Sequence, residues 1–243
     1  MKIVYCPWEL ENLGCRVVEV SVLATETIDS TVLQCVESEN DYIVVKIESG
    51  NMKLTALMTQ LGYTLAETQM SLRKPYAEWN VQADKLTSVL LSQMKVEQIE
   101  SNEDLQELLL LMTDNMFSTD RIYLDPLFGP KYSAQRYRNW TVSEFEKGAL
   151  LYKHYFRNQY VGFSLCKNEG ENLHCLLAGN FEEYQRSGIG FWIPLIPLLY
   201  KDKHYKNYTT SISTNNYPVW QMYNRHHYTI TKFDYVYIKH VKH

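Results

Sequence analysis

Two stretches of the chain carry residue types and spacings that can do chemistry. The first is Gln185-Arg186-Ser187-Gly188-Ile189-Gly190, which follows Tyr184 and runs directly into FWIPLIPLLY. A glycine turn that opens a helix exposes several backbone N–H groups and the positive end of the helix dipole, which suits a pyrophosphate. Gly188 and Gly190 remove side chains where a ligand would approach, and Arg186 adds a charge-assisted contact. The stretch is neither a Walker loop, for it lacks Gly-Lys-Ser/Thr, nor a full GxGxxG. On spacing alone, a β-turn feeding a core helix fits it slightly better. The second stretch is STNNYPVWQMY, in which Asn216 lies seven residues before Tyr223. Seven residues are about two helical turns, so both side chains share a face. An Asn that caps its helix and a Tyr that fills the core have the same spacing.

Other candidates are less specific. Asp125 in DRIYLDP suits a substrate or base carboxylate, although an Asp-Pro turn is the commoner meaning of such a sequence. Arg121, Tyr137 and Trp140 suit contact with a nucleotide or sugar, since aromatic faces stack on bases and rings, and they suit a structural trio equally well. The adjacent His226 and His227 diverge on a helix, and no carboxylate cluster accompanies them or the terminal HVKH, so no metal is expected.

Several elements must position these residues. DYIVVKI is a β-branched run fit for a buried strand, and NMKLTALMTQLGY is a helix with Asn51 as N-cap and Leu54, Leu57, Met58 and Leu61 along one side, closing at Gly62. YTLAETQMSL reads as a strand. Polarity rises from Leu72 to Lys85, and the domain boundary is set there. SNEDLQELLLLM then starts with a capping signal, and FGPKYSAQRYRNWTV reads as a second, shorter helix. Three strands follow in ALLYKHYF, YVGFSLC and HCLLAGNF, then the loop, the strand YTTSIS, a helix beginning near Asn216, and two last strands in YTITKFDYVYIKHV. The order α-α-β-β-β-α-β-α-β implies a mixed α/β fold (α+β in arrangement), a mixed sheet with helices packed on it.

A repeat also emerges at a displacement of 165 residues, which sets Ile47 against Ile212, Asn51 against Asn216, and Tyr63-Thr64 against Tyr228-Thr229. Tyr223 then falls on Met58, so the first copy has no phenol there.

The sequence around the loop resembles the Gcn5-related N-acetyltransferases, whose acetyl-CoA loop has the form Gln/Arg-x-x-Gly-x-Gly/Ala between a strand and a helix; Gln185, Gly188 and Gly190 fill it. STNNYPVWQMY looks like the later strand-to-helix segment of that family. WELENLG, VVKIESGNMKLTALMTQLGYTLAETQMSL and STDRIYLDP…YRNW look like the TDP-fucosamine acetyltransferase family, and this resemblance covers nearly the whole chain. It implies a central twisted mixed sheet flanked by helices in residues 92–243, with a smaller, degenerate copy of the same fold in residues 1–80. It implies acetyl-CoA as cofactor and a primary amine as partner, the amino group of a nucleotide-linked amino sugar.

The resemblance further implies a strand that splays from its neighbour so that Leu177, Ala178, Gly179 and Asn180 bind the pantetheine arm. Backbone groups from Arg186 through Ser187, Gly188 and Ile189 to Gly190 would hold the pyrophosphate, Tyr223 would protonate the departing thiolate, and Asn216 would orient the cofactor or a water. A phenol with its usual pKa near 10 stays protonated for that task. Arg121, Asp125, Tyr137 and Trp140 are the candidates for the acceptor site. Three features depart from the family, the first being that its proline after the acetyl-CoA strand is missing from AGNFEEY. Pro194 and Pro197 each remove a hydrogen bond from the helix after the loop and would limit it to an open first turn, and Arg225-His226-His227 stands where relatives place a glycine. Another amine (a polyamine, antibiotic, amino acid or protein N-terminus) or a non-catalytic CoA-binding role are the alternatives.

Composition bounds all of this. With 243 residues, 45% of them hydrophobic, the chain can bury a core, and a formal net charge of −4 argues against nucleic acid as partner. The five scattered cysteines form no CxxC pair and read as reduced thiols of the cytoplasm. The start MKIVYCPWELENLG is too polar for a signal peptide, and FWIPLIPLLY is half of the ~20 residues a membrane helix needs, so no membrane association is expected. The oligomeric state stays open, a homodimer included.

Overall fold

Two strand–helix–strand units of matching length set the architecture. In the first, β3 (Tyr42–Glu48), α3 (Met52–Gln60) and β4 (Thr64–Pro75) follow one another; in the second, β9 (Asn207–Ser213), α9 (Tyr217–Arg225) and β10 (Thr229–His240) do. Every boundary of the first reappears 165 residues later in the second. The computed structural model describes residues 1–79, 85–200 and 205–241. Residues 80–84 of the expected boundary and 242–243 of the terminal HVKH lie outside them.

Before the first unit come β1 (Lys2–Tyr5), α1 (Glu9–Leu13), β2 (Val17–Val22) and α2 (Ser30–Glu39). Between the units lie α4 (Lys85–Leu91), β5 (Met94–Gln98), α5 (Asn102–Leu111), α6 (Arg121–Leu124), α7 (Pro130–Glu146), β6 (Leu150–Phe156), β7 (Gln159–Glu169), β8 (Asn172–Asn180) and α8 (Ile196–Leu199). All the strands form one ten-stranded mixed sheet in the order β1-β2-β3-β10-β4-β9-β8-β7-β6-β5. Neither unit pairs its own two strands. Instead β10 lies between β3 and β4, and β4 lies between β10 and β9, all antiparallel.

Register repeats as well: Asp234 opposes Glu48, and the corresponding pair Gln69 opposes Ser213. The β4–β10 ladder carries two shifts of register, with Thr231 as the extra residue on one strand and Ala66 as its counterpart on the other. The side chains of α2 and α3 pack on one face of the sheet with Val45 and Ile47, and those of α8 and α9 on the same face with Met70 and Leu72. Residues of α5 and α7, and of α1 and α6, cover the opposite face.

Three expectations are corrected. The helix expected over 128–142 is not shorter than α5 but the longer, with 17 residues against 10, because Pro130 after Gly129 starts it cleanly and an apolar stripe continues to Phe145. The two expected last strands are one strand of 12 residues, in which the bulge at Thr231 absorbs the irregularity without a turn. No α-helix opens directly from the glycine loop. A 3₁₀ segment, Ile189–Leu195, contains Pro194, and the single turn α8 contains Pro197. Each proline lacks the N–H that an i to i−4 ladder requires.

Both unit helices end alike. In α3 the Tyr63 N–H donates to the Met58 carbonyl and the Gly62 N–H to Thr59; in α9 the Tyr228 N–H donates to Tyr223 and the His227 N–H to Asn224. This is a Schellman ending, whose left-handed residue is Gly62 (φ 78°) in the first and His227 (φ 55°) in the second. The helix therefore closes without glycine, by holding a histidine in a backbone region its Cβ disfavours.

The 3₁₀ segment is fixed to the sheet by Trp192. A Cβ on Gly162 would meet the Gly179 carbonyl oxygen at 2.2 Å and Trp192 at 3.0 Å, so glycine is what admits the indole. Trp192 stacks on His154 with ring centroids 4.0 Å apart and donates from Nε1 to Asn180 Oδ1 at 2.9 Å. His154 is fully buried; its Nε2 lies 2.6 Å from Ser164 Oγ, which lies 2.6 Å from the Tyr200 hydroxyl. Burial pushes the imidazole down from 6.5 to about 3.

Two measurements check these packing arguments. His227→Gly is expected to raise stability by about 0.5–1 kcal/mol, or about 1–4 °C in Tm, because it relieves the left-handed histidine; an unchanged or lower Tm would refute the strain. For His154 the folded pKa lies below the unfolded one, so the unfolded chain binds the extra proton between pH 6.5 and about 3 and stability falls as pH falls through that window. The slope is about 1.4 kcal/mol per pH unit. His154→Gln keeps a partner for Ser164 but cannot titrate, so urea titrations from pH 7 to pH 4 are expected to show a shallower acid slope than wild type.

Candidate active site

The site begins where β8 leaves β9. Four parallel rungs join them, from Asn172 opposite Asn207 to Cys175 opposite Thr210, after which β8 runs on to Asn180 and β9 to Ser213 without a shared rung. Against β7 the cause is visible: Cys166 opposes Cys175 but Leu165 opposes Leu177, so Leu176 is an extra residue on β8. A bulge bends its strand, and this one turns β8 away from β9 immediately past the last rung. Leu177, Ala178, Gly179 and Asn180, the expected pantetheine residues, all lie on the diverging part.

The first unit has no such opening. β2 and β3 pair through six rungs, to Val22 opposite Ile47, and β1 pairs regularly with β2. The counterparts of Lys46 and Ile47 are Ser211 and Ile212, which have no partner on β8. Asn51 also holds the first unit shut: its Oδ1 accepts from the Leu54 N–H, and its Nδ2 donates to the carbonyls of Glu26 at 2.8 Å and Leu23 at 3.3 Å.

Asn216 caps α9 as Asn51 caps α3, accepting from the Val219 N–H at 3.4 Å. Tyr223, two turns on, is only 2% exposed. Its ring meets Tyr228 edge-on at 4.7 Å and packs in one cluster with Tyr208 and Cys175, the latter on the last rung before the strands part. The ordinary phenol pKa expected from sequence does not apply: burial, reinforced by Cys175, pushes Tyr223 well above 10. The proton is held more firmly than in a solvated tyrosine.

The 185–190 loop lies at the far end of β8. Gln185 Nε2 donates to the carbonyls of Met116 at 2.9 Å and Asn180 at 3.3 Å, tying the loop to the strand end. Arg186 and Gly188 both take left-handed backbone, φ 60° and 80°. Ser187 Oγ donates to the Tyr184 carbonyl and accepts from the Ile189 N–H, so one of the amides expected to face an anion already has a partner. Gly190 packs against Asn180 and Met222. With a 3₁₀ segment after it, the loop offers its own amides and Arg186 but not the dipole of an α-helix. Beside it, an open cleft of about 320 Å³ is lined by Asn115, Ser118, Tyr123, Glu182, Gln185 and Arg186.

The remaining candidates gather elsewhere, between α6, α7 and the first unit. Arg121 faces Glu67 on β4 at 3.6 Å, and its pKa is raised, because Tyr42, Glu67 and Asp120 outweigh the burial that works against its charge. Asp125 accepts from the Leu127 N–H, the turn reading, and its other oxygen lies 2.8 Å from His240 Nε2. The Tyr137 hydroxyl donates to Asp120, its ring stacks on Phe117 at 4.1 Å, and Trp140 lies 6.1 Å from it. Arg121, Asp125 and Tyr137 make these polar contacts within the chain, the Arg121 Nε being buried without a partner, and none of the contacts reaches the opening between β8 and β9. The sequence reading missed Tyr208, Thr210, Cys175 and Tyr228 around Tyr223; only Tyr228 carried a signal, as the counterpart of Tyr63.

No family model matches the chain, and no curated protein matches it. Its fold is shared with solved structures. A GCN5-related N-acetyltransferase from Sphaerobacter thermophilus superposes with a TM-score of 0.58 at 12% identity over 83% of this chain, which spans 60% of that protein's length. A GCN5-related N-acetyltransferase from Kribbella flavida gives 0.55 at 10% identity, covering 92% of this chain and 81% of the other. A tandem GNAT protein from the clavulanic acid biosynthesis pathway gives 0.53 at 9% identity, covering 87% and 67%. At these identities the likeness is one of fold.

Proposed function

We propose that the chain is an acetyl-CoA-dependent N-acetyltransferase that acetylates a primary amine by direct attack, with the amino group of a nucleotide-linked amino sugar as its acceptor. The observation that carries this reading is the parting of β8 from β9 just past Cys175, which packs in one core cluster with Tyr223. The fold shared with GCN5-related N-acetyltransferases supports the reaction class.

Bound acetyl-CoA supplies the acetyl group as a thioester. The edges of Leu177, Ala178, Gly179 and Asn180 that face away from β7 lack a strand partner, which suits a pantetheine arm rich in amides. The loop from Gln185 to Gly190 suits the pyrophosphate through its amides and the Arg186 charge. Tyr223 holds its proton at the apex of the opening, where a leaving sulfur would need one. Burial keeps Tyr223 in its proton-bearing form but works against giving the proton up, because a thiolate is a weaker base than this buried phenolate. Asn216 acts through the helix it caps.

The finer acceptor reading rests on the resemblance of the segments around Trp8, Ile47 and Arg121 to the TDP-fucosamine acetyltransferase family.

Two experiments test the proposal. Tyr223→Phe, which preserves the buried ring, is expected to lower kcat for thiol release roughly 10²-fold with the KM for acetyl-CoA little changed; unchanged turnover on the preferred amine removes Tyr223 from the reaction. CoA titrated calorimetrically is expected to fill one site per chain, since the first unit is zipped shut; two equivalent sites would contradict that account. A panel of amino sugars, nucleotide amino sugars and polyamines selects the acceptor, and stabilisation by CoA without turnover on any of them would point to a binding protein.

A further inference from the structure

Lys74, on β4, is an unusual residue to find inside. It is 5% exposed, and lysine is almost never so buried without a partner. Its Nζ donates to the carbonyl of His226 at 2.8 Å and lies 4.8 Å from the Trp79 ring centre and 6.0 Å from that of Tyr228. His226 is the C-cap of α9, the helix that carries Tyr223. The Schellman ending satisfies the carbonyls of Tyr223 and Asn224 but leaves that of the cap, and a cation there also meets the negative end of the helix dipole.

The same contact occurs once more, in mirrored ownership. Lys239 of β10, displaced by 165 from Lys74, donates from Nζ to the carbonyl of Leu61 at 2.9 Å, and Leu61 is the C-cap of α3. Lys239 lies 5.1 Å from the Tyr63 ring as Lys74 lies over Tyr228. Each unit thus closes the other's helix with a lysine from its last strand. The copies differ in what surrounds the cation. Lys239 also pairs with Glu37 at 2.8 Å and is 24% exposed, whereas burial depresses the pKa of Lys74, with Glu78 pulling it back.

Tyr228, next to Lys74, fixes the rest. It packs on Tyr223, and its hydroxyl donates to the Pro194 carbonyl at 2.6 Å, so the end of α9 is joined to the segment that follows the glycine loop. We propose that Lys74 is a positioning residue for Tyr223: by clamping the cap of α9 from the neighbouring unit, it holds the tyrosine at the mouth of the β8–β9 opening. Lys239 is the same clamp on a helix whose corresponding position is Met58 and has no chemistry to hold. This inference rests on the acetyltransferase reading for its kinetic part only.

The test compares Lys74→Met with Lys239→Met, each keeping an aliphatic stem and losing the ammonium. Hydrogen exchange is expected to show lost protection at the last turn of α9 in the first variant and of α3 in the second. Only Lys74→Met is expected to lower kcat, by about tenfold, with the KM for acetyl-CoA unchanged, the scale of a small misplacement of a reacting group. Unchanged exchange at α9 in Lys74→Met, or an equal loss of kcat in both variants, overturns the proposal. If wild type turns over no amine while exchange responds as described, the clamp stands and the acetyltransferase reading falls.

Discussion

The antiparallel pairing of β4 with β10 at the centre of the sheet is the interaction on which the rest depends. Each is the last strand of its unit, and each finds its partners in the other unit: β4 on β9, β10 on β3. Without that exchange both units would expose strand edges, which are templates for aggregation. The exchange also sets the two helices α3 and α9 on one face in equivalent positions. It carries the paired bulges at Ala66 and Thr231 and the two reciprocal lysine contacts. The displacement of 165 is therefore a statement about contacts as well as sequence.

Against that near symmetry, a single extra residue makes the difference that matters. β2 and β8 occupy equivalent places, parallel to β3 and β9 respectively. β2 has regular pairing on both sides and stays with its neighbour through six rungs; β8 carries Leu176 as a bulge and leaves after four. The tyrosine at the apex exists only in the copy that opens. In the other, Met58 is an apolar filler, fully buried and with no proton to give.

Much of this was legible beforehand, and the rest was hidden for physical reasons. Asn51 and Asn216, with Tyr63 and Tyr228, marked the repeat because caps and Schellman endings impose residue types at fixed positions. The parting of the strands was expected from family likeness; its cause was not, because a bulge at Leu176 in LHCLLAGN changes neither composition nor alternation in a detectable way. The loop was misjudged in one respect. Pro194 and Pro197 were read as shortening an α-helix, whereas removing two N–H groups three residues apart left a 3₁₀ segment and one turn. Arg121, Asp125, Tyr137 and Trp140 have the residue types of a binding site, yet Arg121, Asp125 and Tyr137 make polar contacts within the chain and Trp140 lies against Tyr137, and no local pattern separates those uses. Lys74 and Lys239 lie at the repeat spacing, but their contact crosses between units, and local sequence is silent on that.

The surroundings of α9 also break local preference where those of α3 obey it, and they do so around one side chain. Gly62 takes the left-handed position at no steric cost; His227 takes it against its Cβ. Lys239 stays partly solvated beside a carboxylate; Lys74 sits buried between a carbonyl and aromatic rings. Met58 packs without a polar group; Tyr223 brings a hydroxyl into a core shared with Tyr208, Tyr228 and Cys175. Each departure lies around α9, which carries Tyr223, and this fits a fold that gives up local consistency at its working site and recovers it in the shared sheet.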